Sequence, residues 1–528
     1  MTIADEEKNA ESVGDYSGPD NGSLTSPDGE DMAPQQSQVE SIWPAENLSQ
    51  SRQVVMIFVC CMTQWCTQGA FAQTLTILHV IGASFGVTAP SQLAWLVAGY
   101  SLTVGTFILF SGRLGDAFGY KRMLLIGLAW FSLWSVISGL SVFSNYVLAV
   151  FARVLTGIGP AICLPNALAI LGAVYPPGHK KAMVFACFGA VAPVGAIVSA
   201  AIGAAISIVW WPWALWAFAI WLAILAGLAY IAIPDLPRKD DILAEGWSWQ
   251  AVAAELDILG AITGVPALVL FNFAWNQAPI SGWGTATIIV PLVLGVLLAG
   301  VFAFVEVKVA TKPLLPFDII NGVVAFVLGV VACGWASFGI WVLYLIQILE
   351  EVRGLSPVLT TGWLSPLPVV GVIAAGITGA LLGPLQVRPP VVMTLALAAF
   401  TIGITLIATV PPHQIYWGQI FVCTIVIPFG MDMSFPAATL ILSNAVKKQH
   451  QGVAASLVNT VVNYSISLAV GIATTVETHV AHGDALTGFR GGLYVGVGLA
   501  SFGFIVCVVF LIRDYRAQQK STSPKQTV

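Results

Sequence analysis

Apolar runs of roughly twenty residues, parted by short polar breaks, fill the chain from about residue 54 to 512. In order they cover 54–80, 92–111, 123–142, 147–172, 183–206, 210–233, 257–277, 285–309, 323–348, 358–384, 390–410, 417–444, 453–478 and 491–512. A run of about twenty residues matches an α-helix crossing the hydrocarbon layer, where every backbone polar group must be satisfied within the segment. A transmembrane barrel would show alternating segments of about ten residues instead. The pattern predicts an all-α polytopic membrane protein of about fourteen spans. Two stretches break it. Residues 1–50 are polar throughout, and residues 112–122 form a charged, glycine-rich knot between two apolar runs.

Composition agrees with the pattern. Hydrophobic residues make up 57% of the 528 and charged residues 9%, against about 25% charged in a soluble domain. The formal net charge of −5 misleads about the membrane part. Residues 1–50 hold eleven acids and only Lys8 as a base, whereas the rest holds fifteen acids and twenty bases. The acidity therefore belongs to a tail with too little apolar surface to fold alone, and no nucleic-acid partner is expected. With that tail in the cytosol, eighteen of the twenty-one Lys and Arg fall on the inside. Arg353 and Arg490 fall outside and Arg153 lies within a span, a bias that supports both the number of spans and its parity. The polar N-terminus predicts no cleavable signal. The eight cysteines lie inside apolar runs and form no CxxC pair, so neither a disulfide framework, a metal site nor a cofactor is expected. No phosphate-binding loop is present to drive pumping by ATP, and no enzyme chemistry is visible. Trp210, Trp211, Trp213, Trp216 and Trp221 crowd the start of the sixth run, as in an aromatic belt.

The longest polar inside connection, 235–251, divides the apolar runs into two halves. Gly112-Arg113-Leu114-Gly115-Asp116 has a faint echo in Gly379-Ala380-Leu381-Leu382-Gly383, as expected of parallel internal repeats. The pattern Gly112-x-Leu114-Gly115-Asp116-x-x-Gly119-x-Lys121-Arg122 resembles the signature loop of the major facilitator superfamily. Arg153-Val154-Leu155-Thr156-Gly157 is similar to that superfamily's fourth-span motif, and 189–203, with Pro193, Gly195 and Gly203, to the fifth-span motif of its antiporters. Fourteen spans resemble the drug:proton antiporter branch with two extra central helices. The stretches Phe271–Pro279 and Gly430–Pro436 resemble fungal pumps of the aminotriazole-resistance type. Two departures stand out. The first span reads Gln73-Thr74-Leu75-Thr76-Ile77 where many relatives carry an acid, and the fifth-span motif reads Ala192-Pro193 rather than Gly-Pro.

Ionisable groups in the hydrocarbon layer are costly and usually functional. Asp432, midway along the twelfth span between Pro428 and Pro436, is the candidate proton carrier. The resemblance assigns Arg153 to proton coupling. A charge that holds helices together is the other reading of that residue. His79 titrates near neutrality and is the candidate substitute for the missing acid, or else an interface residue. Glu306 and Glu477 lie near span ends, from which they are expected to reach the interface. Gln73, Asn272, Gln347, Asn459 and Asn463, with Trp341 among the aromatics, are the candidate substrate contacts. Asn459 and Asn463 share a helix face at a spacing of four. Gly112, Gly115, Asp116, Gly119, Lys121 and Arg122 are read as a gate. By resemblance the glycines let span two approach span thirteen, Asp116 faces the N-terminus of that span, and a basic neighbour pairs with Asp116.

The resemblance implies a major facilitator fold of two six-helix bundles. Residues 1–50 are then a cytosolic tail, 51–234 the first bundle, 235–322 a linker with two extra helices, 323–512 the second bundle and 513–528 a second cytosolic tail. The expected function is export of a small organic compound by proton antiport, as a monomer in the plasma membrane, with the vacuolar membrane as the alternative site. Proton-coupled uptake of a nutrient or siderophore is a second reading, and a non-transporting receptor a third.

Overall fold

Each apolar run becomes a helix because the segment has no other way to satisfy its backbone in lipid, and the ends are set by local chemistry. Prolines open four spans at Pro90, Pro212, Pro357 and Pro389, where the missing N–H costs nothing. Asn145 accepts from the Leu148 amide at 2.9 Å, and Asn321 from the Val323 and Val324 amides at 2.9 and 3.0 Å. These caps satisfy amides that the helix leaves unpaired.

A computed structural model describes residues 43–176, 178–236, 249–446 and 451–522. The tail before residue 43, most of the 235–251 connection and the pair Lys447–Lys448 lie outside these residues. Among the described residues, fourteen helices are long and apolar enough to span a membrane. They are α1 (Gln50–Thr76), α2 (Pro90–Phe118), α3 (Tyr120–Phe143), α4 (Tyr146–Val174), α5 (His179–Trp210), α6 (Pro212–Ala232), α7 (Val252–Ser281), α8 (Ala286–Lys308), α9 (Gly322–Val352), α10 (Pro357–Leu382), α11 (Pro389–Ala408), α12 (Gln419–Ala445), α13 (Val453–Val480) and α14 (Ala485–Arg513). The helices overrun the apolar runs at several ends, because polar termini outside the hydrocarbon can stay helical.

Helix neighbours repeat with an offset of eight. The helix α1 lies along α5, α4 and α6, and α9 lies along α13, α12 and α14. The helix α3 packs on α4 and α6, as α11 packs on α12 and α14, and α2 meets α4 as α10 meets α12. Between the groups α2 packs on α13 and α5 on α10. The same offset turns α2 into α10 and α5 into α13, so the two cross-contacts exchange under one pseudo-twofold. The pair α7–α8 stands outside the repeat, with α7 against α13 and α2. Burial follows this plan: 83% of the most apolar window of α2 is buried, but only 17% of that of α8. The helix α8 therefore offers its side chains to lipid, and α2 lies at the centre.

Small residues mark the crossings, as expected where apolar lipid gives no force to press helices together. A Cβ at Gly195 would lie 2.7 Å from Trp65 Cα, where α5 crosses α1. A Cβ at Gly105 would lie 2.7 Å from the Tyr464 amide nitrogen, where α2 crosses α13. The tryptophan group around 210–221 divides. Trp210, Trp213 and Trp216 stack edge-on at 5.3 Å between centroids, whereas Trp211 turns inward and donates to Ser84 Oγ at 3.1 Å.

Candidate functional site

Asp432 lies where α12 packs on α10, beside the crossing of α10 with α5. A Cβ at Gly371 in α10 would lie 2.8 Å from Pro193 Cβ in α5 and 3.2 Å from Asp432 Oδ2. The proline of the fifth-span motif and the buried carboxyl thus face one glycine at the α5–α10 seam. Asp432 Oδ2 is buried without a hydrogen-bond partner. Native proteins rarely leave such an atom unpaired, so this is a place where a ligand, water or proton has work to do.

Arg153 has a different setting. It is buried, its Nη2 donates to the Ala70 carbonyl of α1 at 3.0 Å, and its Nε approaches the Leu96 carbonyl of α2 at 3.5 Å. Its guanidinium lies 4.8 Å from the centre of the Tyr100 ring, whose hydroxyl donates to Thr67 O at 2.8 Å. Arg153 therefore joins α1, α2 and α4 through carbonyls and a ring face, and makes no ion pair among the described residues. Asp432 and Arg153 sit at separate helix junctions.

The predicted polar lining also divides. Asn272 Oδ1 accepts from Asn276 Nδ2 at 2.8 Å, the single Ser467 O–H lies between Asn272 Oδ1 at 2.9 Å and the Ala98 carbonyl at 2.8 Å, and Asn272 Nδ2 is buried without a partner. This network fixes α7 to α13 and α2. Asn459 and Asn463 donate to the carbonyls four residues back, Ala455 and Asn459, at 3.2 and 3.0 Å. Gln73 packs against Gly203, where a Cβ would lie 2.4 Å away. Trp341 is buried and its Nε1 lies 3.1 Å from Cys423 Sγ in α12. Gln347 and His79 face one another, without completing a hydrogen bond. Glu306 and Glu477, expected at the interface, are both buried. Glu477 accepts from the Tyr344 hydroxyl at 2.8 Å, and Glu306 accepts from the Leu315 amide at 3.1 Å. Both stay within the fold, although Glu306 Oε1 is buried without a partner.

At residues 112–122, Gly119 has φ +96° and ends α2, a conformation that favours glycine. Gly115 faces α4 rather than α13, since a Cβ there would strike Asn166 Oδ1. Gly112 looks toward α13, with Ser456 Oγ 3.8 Å from a Cβ, and Gly105 makes the tight approach two turns earlier. Asp116 accepts from the Tyr120 hydroxyl at 2.5 Å, while Lys121 pairs with Asp235 at 3.3 Å. Arg113 donates to the carbonyls of Lys312, Pro313 and Glu255. Asp257, which caps the Ile258–Ser281 segment of α7 through the Gly260 amide at 3.0 Å, also accepts from the Leu314 amide at 3.0 Å. Arg113 therefore holds α2 to the α7–α8 pair, a role the sequence pattern does not reveal.

The pattern that defines the Major Facilitator Superfamily matches residues 54–471. A Saccharomyces cerevisiae protein named low affinity ammonium transporter is 46% identical over 474 residues, 89% of this chain and 90% of that one. The Aspergillus terreus efflux pump terG is 40% identical over 496 residues, 93% of each chain. The aminotriazole resistance protein of S. cerevisiae is 36% identical over 474 residues, 88% of this chain and 85% of that one.

Proposed function

The chain belongs to the Major Facilitator Superfamily, a family of membrane transporters rather than enzymes, and from that premise we propose that it exports small organic compounds in exchange for protons. The carrying observation is Asp432, whose Oδ2 is buried without a partner beside Gly371 and Pro193. A carboxyl at a seam between two helix groups can hold a proton in one state of the seam and release it to water as substrate binds in the other. Relatives named efflux pump and aminotriazole resistance protein favour outward movement of drugs, toxins or secondary metabolites. In this reading residues 51–234 and 323–512 rock against each other about a central cavity, with 235–322 between them. The termini face the cytosol, and the protein acts as a monomer in the plasma membrane.

The α2–α13 crossing acts as the latch on the side of residues 112–122. Along it Gly105 faces residues 460–464 and Gly112 faces Ser456, so the antiparallel register carries Asp116 toward the start of α13, where the helix dipole favours an anion. Transport into inside-out vesicles under an imposed pH gradient tests the coupling. Asp432→Asn, which keeps the volume, should abolish gradient-driven transport while the protein still elutes as folded. Full gradient-driven activity in that variant sinks the role of Asp432.

Uptake is the second reading. It is favoured by the relative named low affinity ammonium transporter and by the absence of an acid at Gln73–Ile77. Deleting the gene should raise cellular substrate if the protein exports and lower it if the protein imports.

A further inference from the structure

The carboxyls of Asp257 and Glu306 meet near the start of α7 and the end of α8. Asp257 Oδ2 and Glu306 Oε1 lie 2.3 and 2.6 Å from the point where a Cβ at Gly260 would sit, so the glycine leaves the room in which these two oxygens face one another. Asp257 is 5% exposed and Glu306 4%. Three of the four carboxyl oxygens have amide donors. Asp257 Oδ1 accepts from Gly260 at 3.0 Å, Asp257 Oδ2 from Leu314 at 3.0 Å and Glu306 Oε2 from Leu315 at 3.1 Å. The fourth, Glu306 Oε1, is buried without a partner. Ionised carboxylates only accept, so neither group supplies the missing donor, and as neighbours in a buried site they repel.

The charged groups around the pair do not fill the gap. From α2, Arg113 makes no ion pair among the described residues, and its Nη1 and Nη2 donate to the carbonyls of Glu255, Lys312 and Pro313. Asp116, also on α2, accepts from the Tyr120 hydroxyl. Glu255 and Lys312 pair with each other, and Lys308 and Asp318 are exposed. Arg113 reaches the pair through one peptide group. The Pro313 carbonyl accepts from Arg113, and the Leu314 N–H of the same peptide donates to Asp257 Oδ2. One cation thus stands against two carboxyls.

We infer that Asp257 and Glu306 form a proton-binding site, in which one proton is held on Glu306 Oε1 and donated to Asp257 Oδ2. Asp257 Oδ2 has a lone pair left beside the Leu314 amide, and a hydroxyl-to-carboxylate bond is of the strong, charge-assisted kind. The pair then carries one negative charge, matched to the one positive charge of Arg113. The proton comes from water and returns to it. When it leaves, two carboxylates face each other across Gly260, and the segment carrying the Leu314 and Leu315 amides is held less firmly. The site is therefore a proton-controlled clamp on residues 309–321, the turn that Arg113 ties to α2. It shares no residue with the Asp432 junction, and its occupancy requires neither export nor proton exchange.

The test uses the purified full-length chain in detergent, with the proton as the ligand varied. Infrared spectra across a pH titration read the carbonyl stretch of each protonated carboxyl. One titrating band should be present in the unaltered protein and in Asp432→Asn, and lost in Glu306→Gln. The glutamine keeps an N–H toward Asp257 Oδ2 and a carbonyl for the Leu315 amide, so this variant should fold and hold the turn at every pH. Proteolytic cleavage within residues 309–321, taken relative to cleavage elsewhere in the same chain, should rise with pH in the unaltered protein and stay flat in Glu306→Gln. Bands unchanged by Glu306→Gln, or the same rise in both proteins, overturn the site. If the variant fails to fold, the unaltered protein decides alone: a rising cleavage ratio supports the clamp and a flat one overturns it. Loss of the band at fixed pH when sodium chloride replaces choline chloride assigns the pair to a metal cation and overturns the shared proton. Gradient-independent transport would sink proton exchange at Asp432 and leave this band in place.

Discussion

At the scale of single residues, the two charges that the sequence marks within spans behave oppositely. Arg153 is held by one carbonyl on each of two helices and by the Tyr100 ring, whereas Asp432 keeps an unpartnered oxygen. We propose that Arg153, a buried cation whose bonds go to backbone, acts as a brace whose planar fork matters more than its charge. Arg153→Lys should cost about 1–3 kcal/mol of stability, the scale of a lost hydrogen bond to a charged group, seen as a lower unfolding temperature. The pH profile of transport in the surviving protein should be unchanged. A shifted profile would return Arg153 to the proton path. Asn272 is likewise a joint. Asn272→Leu removes the acceptor that Ser467 Oγ and Asn276 Nδ2 share, and should lower the unfolding temperature without changing which compounds are carried. Both residues were visible in the sequence as polar intruders in apolar runs. Whether such an intruder is bonded or free depends on helices distant in sequence, so composition and spacing could not sort Arg153 from Asp432.

At the scale of helices, the knot at 112–122 joins three elements. Arg113 reaches the turn after α8, Gly115 seats Asn166 of α4, and Gly112 leaves room beside Ser456 of α13. Arg113→Ala should free that turn from α2, with faster proteolytic cleavage within residues 309–321 as the readout. Asp116→Asn should slow turnover more than it weakens substrate affinity, and an unchanged transport rate would argue against a latch. The sequence marked this stretch because charge and glycine were packed together between spans. It did not mark Gly105, an unremarkable glycine in an apolar run, although the close approach to α13 is made there.

At the scale of the molecule, α2–α13 and α5–α10 are the two most extensive cross-contacts between the helix groups among the described residues, and alternating access would require them to open in turn. Ser456 Oγ lies 3.8 Å from where a Cβ at Gly112 would sit, so a thiol pair Gly112→Cys/Ser456→Cys is within reach of a crosslink. Oxidation should stop transport and reduction should restore it, with oxidant-treated unaltered protein as the control because Cys187 is exposed. Transport at the full rate in the crosslinked protein would exclude opening at this crossing.

Hydropathy alone determined the membrane class, the all-helical architecture and the fourteen spans, because lipid leaves the backbone no alternative and that constraint acts on each segment separately. The short motifs at 112–122 and 153–157 carried the family for a similar reason, since their residue types and spacing are local. The partners of the buried polar groups were decided only when α1 met α5 and α9, α2 met α13, and α5 met α10 over Asp432. Those meetings join positions up to several hundred residues apart. A polar side chain in a membrane helix reads the same in sequence whether a carbonyl waits opposite it, as for Arg153, or no partner does, as for Asp432 Oδ2.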